Sequence, residues 1–255
     1  MFQIDEFMFW SLIFMRVTGF IVINPILGRS GIPGMAKGGL VFALTLLIGT
    51  AQRGSAEIFT PGTSLEYGVL LLSEFAVGIG VAFVIQMIFY VISYAGALID
   101  FQMGMSMVNV YDPQTRAQVA LTGSIYQAFF FLLFFAVDGH LMLMKVLIQS
   151  SNLVPYGHAS FSAEMAQTML DIFKECTILG IRMTLPILIT ELLTGMAVGI
   201  LMKAIPQVNI FVINIQVKIF VGLIMLFLLC VPMGDFLQNL IPDMQNMMER
   251  VLQAM

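Results

Sequence analysis

Between residues 65 and 99 the chain passes through 35 positions with only two charged side chains, Glu66 and Glu74. As one helix that run would rise ~52 Å, well beyond the ~30 Å of hydrocarbon in a bilayer. It is too apolar for a soluble surface and too long for a plain membrane span. The rest of the chain has the same character: 59% of its 255 residues are apolar, 10% are charged, and the mean hydropathy is +0.96. Soluble domains carry about a quarter charged residues, so membrane residence is the default. The start, Met-Phe-Gln-Ile-Asp5-Glu6, is acidic where a signal peptide is basic, which predicts no cleavable signal.

Six apolar stretches predict an all-α, polytopic membrane-type protein with broken or misfit helices. They run over 7–27, 38–51, 65–99, 124–154, 177–202 and 208–231. The second, at 14 residues, is too short to span and the third too long. Such a pattern suits helices that are broken or buried in protein. Residues 155–176 place Glu164, Asp171, Lys174 and Glu175 around Met165, Met169, Leu170 and Phe173, predicting a short amphipathic helix. The tail 234–255 repeats that style.

Net charge is −4 with no basic cluster, so the sequence predicts no nucleic-acid partner. Cys176, Cys230, His140 and His158 lack metal-ligand spacing, and no metal or cofactor is expected. No nucleophile–base pair or phosphate loop argues for an enzyme. Loop charges do not orient the chain: Arg29, Lys37, Arg116 and Lys203 oppose Arg53, Lys174 and Arg250.

Inside the apolar runs lie Arg16, Glu74, Asp138, Lys145, Arg182, Glu191 and Lys218. A charge at mid-bilayer costs roughly 2.5–3.5 kcal/mol on insertion scales, so these groups need partners, water or other subunits. Lys145 and Lys218 can snorkel. Arg182 and Glu191 are nine residues apart, about 180° around a helix, with Pro186 between them predicting a kink. Their partners, and those of Arg16 and Glu74, are expected on other helices or other chains. Gly195 with Gly199, and Gly78 with Ala82, have spacing that lets helix backbones approach closely.

The most unusual stretch is Gly96 to Pro113. It alternates Met103, Gly104, Met105, Ser106 and Met107, then continues through Val108, Asn109, Val110, Tyr111, Asp112 and Pro113. It is too polar for a lipid-facing span and too apolar for an exposed loop, so it predicts buried non-helical backbone.

With that stretch the sequence resembles the FliR family of flagellar biosynthesis proteins and its injectisome counterparts, over essentially the whole chain. The matching stretches are Arg29 to Pro33, Gln102-Met103-Gly104 followed by Asp112-Pro113, Gly139-His140 after the phenylalanine-rich run 129–135, and 206–211 leading to Lys218. Departures are local: Asp100 replaces a usual Gly, Asp138 a usual Asn, and Asn214 and Gln216 a Gly and a Pro.

The resemblance implies one FliR-like domain over 1–255, with an N-terminal helical region (1–154) and a C-terminal helical hairpin region (155–255). It implies an export-gate subunit in a heteromeric helical ring, within the flagellar basal body at the bacterial inner membrane. FliP-like and FliQ-like subunits, an FlhB-like protein, membrane lipid and unfolded exported polypeptides would be its partners. Residues 104–116 match the family's plug loop, and Arg16, Glu74, Arg182, Glu191 and Lys218 become candidate docking charges. The rival class is a secondary transporter or ion-coupled carrier, which predicts an internal repeat; none is evident.

Overall fold

The computed structural model describes residues 4–29, 31–52, 62–105, 109–112, 117–204 and 210–255. Among them are eight helices and one short antiparallel strand pair. In chain order these are α1 (Ile4–Ile23), α2 (Gly34–Ala51), α3 (Ser64–Gln102), β1 (Asn109–Asp112), β2 (Ala117–Ala120), α4 (Leu121–Ala136), α5 (Gly139–Leu153), α6 (Ala163–Ala204), α7 (Ile210–Leu228) and α8 (Cys230–Gln253). The strands pair in the register Asn109 with Ala120 through Asp112 with Ala117.

Helix lengths confirm the long misfit and correct the short one. α3 is a single helix of 39 residues. α2 has 18 residues, not 14, and rises ~27 Å. The apolar run stops at Lys37, but a lysine does not end a helix; its ammonium folds back onto the Gly28 carbonyl at 2.7 Å. The amphipathic stretch 155–176 is likewise not a separate short helix, since 163–176 opens the 42-residue α6. Hydropathy changes there, but no helix breaker intervenes. α6 continues as helix through Pro186.

Two bends break the later runs. α4 and α5 meet at 71°, and the turn holds Asp138 in the left-handed region at φ +57°. Asn and Asp tolerate that conformation best after Gly, so Asp can stand at this turn. α7 and α8 meet at 60°. Pro232, in the first turn of α8, clashes with continued helix at the carbonyl of residue 228 and forces the break. Four helices are long and apolar enough to cross a membrane, or up to six if each bent pair counts as one.

The chain divides into two compact units, Met1–Ile88 with Phe135–Lys174 and Ile241–Met255, and Phe89–Phe134 with Glu175–Leu240. The first buries Leu12, Ile13, Phe20, Val84, Ile85, Leu147, Met244 and Met248. In it α1 and α3 cross with backbones in contact: a Cβ on Gly19 would lie 2.2 Å from the Phe75 carbonyl oxygen, and one on Gly78 2.1 Å from that of Arg16. The second unit buries Ile92, Ile99, Phe130, Phe134, Met183 and Ile187. There the close crossing joins α3 and α4, where a Cβ on Gly96 would lie 2.2 Å from the backbone of Gly123.

Candidate functional site

The first group of charges lies in the first unit. Arg16 and Glu74 are almost fully buried, and the Arg16 Nε donates to Glu74 Oε2 at 2.6 Å. The guanidinium also donates to Ser150 Oγ at 3.1 Å and to the Val154 carbonyl at 2.9 Å. It stacks 4.4 Å from the Tyr156 ring centroid. The second Glu74 oxygen accepts from the Gly157 N–H at 2.8 Å. Tyr156 donates to Gln52 at 3.1 Å, and burial pushes its hydroxyl up to about 12, so it stays a neutral donor.

Hydropathy groups Arg16 and Glu74 with charges expected to face other helices or other subunits. They face each other, because Gly19 and Gly78 bring their helices into backbone contact. The residues that complete the cluster, Ser150, Tyr156 and Gln52, carry no sequence signal of their own. Ser150 comes from the end of α5, Tyr156 from the connection after it, and Gln52 from the C-terminal end of α2.

The other three docking candidates lie in the second unit. Arg182 is exposed on α6, with no hydrogen bond or ion pair among the described residues. Glu191 is fully buried, and neither of its oxygens has a hydrogen-bond partner there. Lys218 runs past Gly195, its Cε 3.9 Å from where a Cβ would stand, and its ammonium reaches the Gln102 carbonyl at 3.4 Å. Among the described residues, Gly199 has nothing within 4 Å of where a Cβ would stand. So of the Gly195/Gly199 pair, the first packs within the chain and the second faces open space.

The methionine–glycine stretch begins where α3 ends. Gly104, at φ +77°, takes the left-handed position; its N–H donates to Phe101 O at 3.1 Å and that of Met105 to Asp100 O at 2.8 Å. This pair of bonds is a Schellman closure, and glycine fills the one position a side chain resists. It leaves the Gln102 carbonyl for Lys218. Met103 is fully buried, its side chain filling the notch left by Gly222 on α7. Met103 therefore anchors the stretch to the helices. Met105 is half-buried, and 109–112 forms β1 as non-helical backbone. Ser106, Met107, Val108 and Pro113 lie outside the described residues, as do the side chains of Asn109, Val110, Tyr111 and Asp112.

At the far end, Asp100 reaches α4. Its Oδ2 accepts the Thr122 N–H at 3.2 Å, and its Oδ1 accepts the Thr122 hydroxyl. Gln127 on α4 donates to Ser93 and, at 3.4 Å, to the Phe89 carbonyl on α3. Thr122, Gly123 and Gly222 carry no functional signal in the sequence. Only the glycines inside apolar runs hint at close crossings.

Comparison with known proteins bears on what this arrangement serves. The family model for bacterial export proteins, family 1, matches residues 7–244. The chain belongs to that family. It is 31% identical to the flagellar biosynthetic protein FliR of Bacillus subtilis, over 88% of this chain and 86% of that one. Against the FliR of Escherichia coli it is 25% identical over 96% and 92%. The Yop proteins translocation protein T of Yersinia pestis is 24% identical over 88% and 86%. Membership makes the chain a membrane component of a flagellar or type III export apparatus.

Proposed function

We propose that this chain is an export-gate subunit that assembles with FliP-like and FliQ-like chains, contacts an FlhB-like protein, and helps form a pore for unfolded polypeptide. The pore lies in the bacterial inner membrane, within the flagellar basal body. The observation that carries this reading is the family match over 7–244, most of the chain. Burial supports it: 56% of the apolar window of α3 is buried within the chain but only 22% of that of α6. Leu192, Leu193, Met196 and Ile200 of α6 thus offer apolar surface to lipid or to neighbouring subunits. On the same helix Arg182 has no hydrogen bond or ion pair, and Glu191 no hydrogen bond, among the described residues, with the Lys218 charge the nearest to act on Glu191. Residues 104–116 act as the plug, in a stretch whose methionines deform at little cost against a passing chain.

Deleting 106–112 tests the plug directly. Cells carrying assembled complexes are expected to leak ions across the inner membrane; unchanged leakage in assembled complexes overturns the role. The carrier alternative draws on one feature, the buried Glu191 carboxylate without a hydrogen bond. It predicts a stable monomer or small homo-oligomer in detergent, whereas the gate reading predicts that the chain is stable only with its partners.

A further inference from the structure

We infer that Asp100 is a positioning residue that fixes both feet of the 103–120 connection, and so sets how that connection leaves the helices. The inference rests on the plug reading for its function, though not for its geometry. Asp100 is the third-last residue of α3, and its carbonyl accepts the outer Schellman bond, from the Met105 N–H at 2.8 Å. Its carboxylate reaches across to the second residue of α4, taking both the N–H and the hydroxyl of Thr122. One residue thus closes the helix before the connection and opens the helix after it.

Two features say that this is more than a local contact. A carboxylate in the last turn of a helix is opposed by that helix's own dipole, so nothing in α3 favours an acid at position 100. The N-terminus of α4 does: its first N–H groups need acceptors, and negative charge is favoured there. The residue that should cap α4 is Ala120, which has no side-chain acceptor and is among the poorest residues for that position. Asp100 supplies the missing cap from 22 residues upstream of Thr122 and is itself buried, 3% exposed. Around it the same foot is fixed by Lys218 on the Gln102 carbonyl and by Met103 in the Gly222 notch.

The test uses the chain assembled with its partner subunits, comparing Asp100→Ala, Asp100→Asn and the 106–112 deletion. Hydrogen exchange at the first amides of α4 reads the cap itself. Asp100→Ala is expected to speed exchange at Thr122 about five- to thirtyfold, while Asp100→Asn, an equally good cap, stays within about threefold of the parent. Equal exchange in the parent and Asp100→Ala overturns the cap. Ion leakage reads the consequence: Asp100→Ala is expected to leak, less than the deletion, and Asp100→Asn to stay tight. If the deletion leaks and Asp100→Ala does not, the positioning role falls while the plug stands. If the deletion itself does not leak, the plug reading falls and the positioning role with it, whatever the exchange shows.

Discussion

Arg16 carries the largest set of buried polar contacts in the first unit. Its guanidinium meets a carboxylate, a hydroxyl, a carbonyl and an aromatic face, all out of water. Taking two charges out of water is expensive, and the pair is tolerable only because these groups satisfy each other. Arg16→Leu leaves Glu74 buried with one bond, and Glu74→Leu leaves the guanidinium short of its counter-ion. Each is expected to cost about 3–5 kcal/mol, with the double change to Leu costing less than the sum; thermal unfolding of the detergent-solubilised complex measures it. Tyr156→Phe removes the hydroxyl's contacts with Gln52 and Ser151 and keeps the ring under Arg16. About 0.5–1.5 kcal/mol is expected from the same melts. The Tyr156 pKa is raised from 10.0 to about 12. The folded state therefore holds the proton more tightly, and this contribution is complete below pH 10 and lost as pH rises toward 12. Alkaline difference spectra of the parent against Tyr156→Phe should show the Tyr156 ionisation late in that window.

At the scale of elements, glycines decide which helices touch. Gly78→Leu drives a side chain into the Arg16 carbonyl, 2.1 Å away, and must separate α1 from α3. Since that crossing also positions Arg16 against Glu74, the change is expected to abolish a folded chain, read as loss of the cooperative melt. Among the described residues a Cβ at Gly199 meets nothing within 4 Å, so Gly199→Leu should leave the melt within about 0.5 kcal/mol. If α6 docks another subunit there, the same variant instead lowers recovery of the complex. Bends follow equally local rules. Pro232 removes an N–H and obstructs the preceding carbonyl where α7 gives way to α8, and Asp138 accepts a left-handed φ between α4 and α5.

For the whole molecule, the exposed apolar flank of α6, the exposed Arg182 and the buried Glu191 matter most. Arg182→Leu or Glu191→Leu is expected to reduce co-purification of FliP-like and FliQ-like chains. Normal complex yield with both changes would count against a docking role. Arg16→Leu should instead lower the amount of folded chain before assembly begins. Comparing chain yield with complex yield separates the two kinds of charge, which hydropathy alone places together.

Hydropathy and glycine placement make much of this legible from the residues. The apolar runs give the helical membrane class, the 35-residue run gives a segment too long for a plain span, and the order of short motifs gives the family. Amphipathic pattern marks α8. What stays hidden depends on neighbours remote in sequence. Composition along a strip cannot say that residue 16 finds residue 74, because pairing is set by where two helices cross. Nor can it say that Asp100 looks forward to Thr122, since its own helix disfavours an acid there. The sequence determined which segments must leave water, because transfer free energy belongs to each residue. Only the tertiary structure decided which charges are satisfied inside the chain, because electrostatic pairing in a low-dielectric interior depends on distances of a few ångströms.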